Sequence, residues 1–414
     1  MSEDHPPLTR REVVEHLQAH DTAPSSGPVQ VGIEQEWHTY CLADPGRHLH
    51  PEEVLGAVSA VGELPCGSTV TVEPGGQVEL ATPPAAPWWT AIDALRGDGA
   101  VVREALAVAG ISVLGAGTDP FREPTRTLSK PRYDAMEAYF DQWAPAGRLM
   151  MNSCASIQVN IDHGPADAVA RRWDLAHRIG PALGAAFACS PSRTHRSARL
   201  AAWHQIDPTR TSPAYLSGDL CDDWPAYVLA ARLMLLHEDD DRCEPVLAPI
   251  TFGEWLEHGI DGRRPTQADL DYHCTTLFPP VRPRGWLELR WLDSLPAGLA
   301  ETATAAIVAV LVDEDAGDRA ARACASVATA WDDAARLGPA HPDLAVAATT
   351  VLRDAADAIG RSGAPGTMAE AVADAADRWP ARGRCPADDL EDRMRRGATV
   401  VDLSEPPAEV VRWS

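Results

Sequence analysis

The chain has 414 residues, 45% of them hydrophobic and 23% charged, and a formal net charge of −24. That composition is the one expected of a globular protein with a sizeable core. The acidity argues against a nucleic-acid partner, because a phosphate backbone demands a basic footprint. Lys130 is the single lysine among 36 basic residues, which excludes a P-loop, argues against Schiff-base chemistry and leaves arginine as the reader of carboxylate and phosphate.

Nine scattered cysteines form no CxxC pair or metal-knuckle spacing, so they read as reduced thiols. No leader-like segment and no apolar run of membrane-spanning length occurs, so the expected location is the cytoplasm, with no membrane partner.

In chain order, residues 1–28 are expected to form an N-terminal helical extension and linker, with a helix over 9–20 capped by Thr9. A strand follows over 29–40, then a helix from Pro51 with Glu52 and Glu53 in its first turn. Residues 68–81 read as two strands broken at Pro74-Gly75-Gly76. A long helix over 87–109 leads to a strand at 111–114 and a Gly/Pro-rich loop. A helix over 133–143, a strand over 155–162 and helices over 166–188 come next.

Residues 190–213 are arginine-rich and read as irregular. Helices are expected at 224–236 and 267–277, a charge run at 238–241, and a last strand at 285–291. Beyond Ala297 the Ala-rich chain, dotted with acids and arginines, reads as a solvated helical outer layer. Irregular alternation of strands and helices favours an α+β fold with a mostly antiparallel sheet.

Side chains two apart on a strand share a face. Glu34 and Glu36, Gln77 and Glu79, Gln158 and Asn160, and Glu288 and Arg290 therefore pair up within four strand-like segments, with Glu73 ahead of the second. Carboxylates about 4 Å apart repel by roughly 4 kcal/mol at an effective dielectric near 20. A set of them beside apolar residues asks for cations. Hard oxygen donors with open positions suit magnesium, with manganese as a substitute. His38, His195 and His204 read as core or surface histidines rather than bases.

The segments GIEQEW, VEPGGQVEL, PRYD, MNSCASIQVNID, the 190–210 loop and TTLFPPVRPRGWLELR, in that order, resemble the plant-type glutamate–cysteine ligases. Among these they are most similar to the actinobacterial branch that serves ergothioneine biosynthesis. The resemblance covers Val31 to Leu299 and implies a catalytic core over 29–299, with 300–414 as a helical portion packed on it.

It implies a glutamine-synthetase-like, saddle-shaped antiparallel sheet flanked by helices, using ATP and Mg2+. The implied reaction joins the γ-carboxylate of L-glutamate to the amine of L-cysteine through a γ-glutamyl phosphate; a ligase of the same fold with another amine acceptor is the alternative. Glu34, Glu36, Glu73, Glu79 and Glu288 then correspond to metal ligands. Gln77, Gln158, Asn160 and Arg199 correspond to substrate or ATP contacts. Arg210 and Arg290 are expected on substrate or phosphate and in catalysis.

Overall fold

The computed structural model describes residues 8–238 and 242–404; Asp239 to Asp241 of the expected charge run lie outside them. Its strands are β1 (Val31–Cys41), β2 (Thr69–Val72), β3 (Val78–Ala81), β4 (Ile111–Leu114), β5 (Ser156–Asp162), β6 (Leu235–His237), β7 (Cys243–Pro245), β8 (Val281–Pro283) and β9 (Trp286–Asp293). Seven of them form one open sheet in the order β2-β3-β1-β5-β9-β8, with β4 beside the far half of β1. Every ladder is antiparallel, as an α+β fold requires.

Alternation sorts the two faces. Val31, Ile33, Gln35 and Trp37 of β1 are buried together with Ile157, Val159 and Ile161 of β5. Against that face pack the helices Trp89–Val108, Ala166–Ala186 and Leu299–Val312. The last of these differs from the solvated layer expected for the C-terminal part. Ala300 through Leu311 are all buried, and a helix apolar on every side belongs inside. Its Ala-rich sequence misled because small residues look neutral in composition yet allow close helix packing.

The opposite face carries the polar residues and is roofed by a second, smaller core. Met136, Tyr139, Phe140, Met150, Met151, Cys154, Trp203, Ile206 and Met234 build it. They come from the helices Pro131–Phe140, Ala146–Ser153 and Ala198–Gln205 and from the β6–β7 hairpin. Two expectations are corrected here. Residues 190–213 are not irregular throughout, since Ser197 caps the helix at 198–205 by accepting from the Leu200 N–H. The helix expected over 224–236 runs instead over Leu220–Ala230, capped by Asp219, and the chain then extends into β6.

Candidate active site

Register brings the expected residues onto one face. Glu36 lies directly opposite Glu79, Glu34 opposite Gln158, and Asn160 opposite both Gly32 and Glu288. Between Ile157 and Val159 the β5–β9 register shifts, so that Ile157 meets Leu292 and Val159 meets Leu289. The extra residue in β9 turns Arg290 onto Gln158, whose side-chain oxygen accepts from Arg290 Nη1.

Glu73 sits ahead of the turn that joins β2 to β3. Gly76 adopts φ +88° there, and the Gly76 N–H donates to the Glu73 carbonyl at 2.8 Å. Gly75 is required by close approach: a Cβ would stand 1.9 Å from the Asn152 carbonyl oxygen. The turn is thus pressed against the helix Ala146–Ser153, which holds Glu73 over the sheet.

Glu34, Glu36, Glu73 and Glu79 are half-buried and form no ion pair with an arginine among the described residues. Burial, then the neighbouring Glu288 and Glu79, pushes Glu34 up to about 7. Burial and Glu36 do the same to Glu79, also to about 7. Glu36 is raised by burial, and Glu73 is raised further by burial together with Glu36 and Glu79. Hydrogen bonds hold them in place without neutralising them. The Ser156 N–H donates to Glu36 at 2.7 Å, Asn160 Nδ2 to Glu34 at 3.1 Å and Thr71 Oγ1 to Glu79 at 2.9 Å.

Uncompensated hard oxygen donors of this kind fit a divalent cation. Among the described residues no group of three or more acids, histidines or cysteines is arranged to hold a metal ion. The fit rests on donor chemistry, since Mg2+ is usually bound through one or two carboxylates plus waters and phosphate oxygens.

Glu288 departs from the expectation. Arg282, opposite it across the β8–β9 hairpin, donates from Nε at 2.5 Å and from Nη2 at 3.1 Å, and Arg290 Nη1 lies 3.1 Å away. Burial alone would raise this carboxyl, but Arg282 and then Arg290 outweigh it and hold it down to about 2. Here it is an ionised counter-charge to two arginines. Arg282 escaped the sequence reading, although the turn at Gly285 (φ +80°) sets a hairpin register that puts it there.

Between the polar face and the roof lies a cavity of about 210 Å³. Glu36, Glu73, Arg199 and Arg290 line its floor; Arg132, Tyr133, Met136, Met150, Met151, Trp203 and Phe278 belong to its walls. Arg199 is only 2% exposed and lies over the Trp203 ring, 4.9 Å from its centroid. Its Nη2 donates to the Arg290 carbonyl at 2.8 Å, while Nε and Nη1 have no hydrogen-bond partner. Asp293, also missed from sequence, sets this geometry. It accepts from the Cys189 N–H and from the Ser190 and Ser197 hydroxyls, and so ties the segment leading to Arg199 onto the end of β9.

Two expected contacts lie off the cavity. Gln77 is buried and donates to the Cys154 carbonyl at 2.9 Å, so it supports the wall rather than facing a substrate. Arg210 is wholly buried, with Nε on Asp207, Nη1 on Thr276 and Nη2 on the Tyr139 hydroxyl and the Arg232 carbonyl. Every donor is used inside the protein, which corrects the role expected for it on substrate or phosphate. Gln158 and Asn160 orient the acids, with Asn160 Oδ1 accepting from the Trp286 indole at 2.8 Å. His38 is buried, which lowers it to about 4 and keeps it neutral, and His204 pairs with Asp332 at 2.9 Å.

Comparison with known proteins agrees with this architecture. The family model described as Glutamate-cysteine ligase family 2 (GCS2) matches residues 30–405, well beyond Leu299. The glutamate–cysteine ligase EgtA of Mycolicibacterium smegmatis is 41% identical over 380 residues, which cover 89% of this chain and 88% of that one. The protein of the same name from Mycobacterium tuberculosis H37Rv is 42% identical over 384 residues, 90% of this chain and 88% of its own.

The crystal structure of a glutamate–cysteine ligase from Francisella tularensis in complex with AMP has a TM-score of 0.51 at 13% identity. It covers 91% of this chain and 86% of that chain, a likeness that speaks to fold alone. With a family model spanning most of its length and relatives above 40% identity, the chain belongs to glutamate–cysteine ligase family 2.

Proposed function

We propose that the protein is an ATP-dependent glutamate–cysteine ligase. ATP phosphorylates the γ-carboxylate of L-glutamate, and the amine of L-cysteine then displaces phosphate to give γ-glutamylcysteine, ADP and phosphate. The observation that carries this reading is a face of four unneutralised carboxylates, two of which, Glu36 and Glu73, line an arginine-bearing cavity, in a chain of this family. No protein nucleophile is needed, because the work is positioning and charge neutralisation.

Glu34, Glu36, Glu73 and Glu79 would hold Mg2+, which when bound neutralises the charge of the ATP phosphates. Arg290, fixed by Glu288 and Gln158 at the cavity floor, faces the charge that grows on the transferred phosphoryl group. Arg282 keeps Glu288 ionised and so keeps Arg290 in position. Nε and Nη1 of Arg199 make no hydrogen bond and Nη1 lies 3.9 Å from Asp293, so this guanidinium offers single N–H contacts to the α-carboxylate of glutamate. The aromatic and methionine walls exclude water from the acyl phosphate. The product's use in ergothioneine biosynthesis and a cytoplasmic location belong to the same proposal.

The test is ADP release by the purified protein with ATP and Mg2+. Release that requires both L-glutamate and L-cysteine, with γ-glutamylcysteine found by mass spectrometry, is the expected result. ADP formation indifferent to cysteine, with no dipeptide formed, would refute the assignment.

A further inference from the structure

The Gly/Pro-rich loop after β4, residues 115–130, has no part in the reading above, yet it touches both halves of the site. At its start Gly117 is pressed on the residue that anchors the Arg199 segment: a Cβ there would stand 2.4 Å from Asp293 Cγ. Near its end the Thr127 and Leu128 N–H groups donate to the Pro74 carbonyl at 2.8 and 3.1 Å, in the turn that follows Glu73. Irregular chain loses backbone entropy when it is held on one course, so it needs pins.

A buried ion pair supplies one. The Arg122 and Asp119 side chains are 8% and 5% exposed, and Arg122 Nε donates to Asp119 Oδ2 at 2.8 Å. Asp119 Oδ1 accepts from the Tyr40 hydroxyl at 2.6 Å and from the Phe121 N–H at 2.9 Å. The other two guanidinium nitrogens of Arg122 reach back to the carbonyls of Thr39, at 2.9 Å, and Arg47, at 3.2 Å. Thr39 in turn donates from Oγ1 to the Gly76 carbonyl at 2.8 Å. The loop and the outer half of β1 thus grip the Glu73 turn at two carbonyls, Pro74 and Gly76. A buried ion pair adds little net stability, because desolvation offsets the attraction. What it adds over an apolar filler is fixed direction.

We propose that Asp119, Arg122 and Thr39 are positioning residues for the metal-binding turn: they fix the loop 115–130 as a strap that holds Glu73 over the sheet. None of the three lines the cavity, so each acts through the turn and not on a substrate. The inference rests on the ligase reading, in which Glu73 holds Mg2+, and adds to it the residues that keep Glu73 in place. Partners of this kind, one step removed from the donors, tune metal affinity by fixing where the donors stand.

The experiment measures Mn2+ binding to the full chain with ATP by electron paramagnetic resonance, together with the Mg2+ and cysteine dependence of turnover. In Arg122→Gln, Mn2+ binding is expected to weaken about tenfold and the Mg2+ concentration for half-maximal turnover to rise by the same factor. Saturating Mg2+ should restore kcat, and the KM for cysteine should stay within about twofold of the parent. Thr39→Val removes a single hydrogen bond to Gly76 and leaves the ion pair intact. It should weaken Mn2+ binding about threefold to fivefold, and it decides the question if Arg122→Gln does not fold. Parental Mn2+ affinity in folded Arg122→Gln or in Thr39→Val would overturn the strap. So would a fall in kcat with unaltered Mg2+ dependence, which is what a merely structural pair gives. A parent protein that binds no Mn2+ would instead refute the metal-binding role of the glutamates, so the two failures are distinct.

Discussion

Carboxylates at this site fall into two electrostatic classes, and the difference is the number of arginines each can reach. Glu288 touches two and stays ionised down to about pH 2; Glu34 and Glu79 pair with none and are held near 7. For Glu288 the folded value lies below the ordinary 4.5, so its contribution to stability is complete above about pH 4.5 and is lost as the pH falls toward 2. The contribution is about 3 kcal/mol. Glu288→Gln should therefore flatten the acid limb of a stability-against-pH curve, read by chemical denaturation between pH 5 and 3; an unaltered slope would contradict the pairing.

Removing the partner is the harsher change. Arg282→Gln leaves Glu288 buried with half its compensation and should cost about 3 to 5 kcal/mol, measured by urea unfolding. The paired acids were legible in sequence because strand periodicity alone puts Glu34 beside Glu36. Arg210 was misjudged for a reason local spacing cannot reveal. Its donors are consumed by carbonyls of Thr276 and Arg232, groups distant in sequence that only the fold brings near.

At the scale of elements, the β2–β3 turn converts sequence into geometry most directly. Pro74-Gly75-Gly76 reads as a break between strands, and the structure makes it one, with Glu73 held above the sheet by the tight contact of Gly75 on Asn152. Gly75→Ala should push the turn away at a cost of about 1 to 3 kcal/mol and lower turnover far more than it lowers stability. Thermal unfolding and ADP release measured on the same preparation check this. An active variant of parental stability would mean that the turn does not position Glu73.

Strands β1, β3, β5 and β9 were legible because alternating polar and apolar residues need no long-range information. The short β8 and the β6–β7 hairpin were not, since three residues carry too little pattern. The helix Leu299–Val312 shows the opposite failure: it is so uniformly apolar that no periodic stripe marks which side faces the core.

Across the whole molecule, one core runs from Val13 in the first helix to Leu403 near the end of the described residues, and it holds the sheet on a single face. The other face is free to carry charge, and a smaller core closes over it to make the cavity. The C-terminal helices thus back the catalytic sheet rather than decorate it. Much of the net charge of −24 is spread over exposed helices, but the acids gathered on the sheet repel one another when ionised.

Because Glu34 and Glu79 are raised to about 7, the stability they contribute is complete below pH 4.5 and is lost as the pH rises through 7. Mg2+ should restore it. At a hundred times its Kd the ion adds about 2.7 kcal/mol, and the gain should be larger at pH 8 than at pH 5.5.

The most direct test is a titration of the protein with Mn2+ in the presence of ATP, followed by electron paramagnetic resonance, for the parent and for Glu36→Gln. The acidic face as described predicts binding by the parent and at least tenfold weaker binding by the variant, with its fold retained. Equal Mn2+ affinity in the two proteins would contradict it.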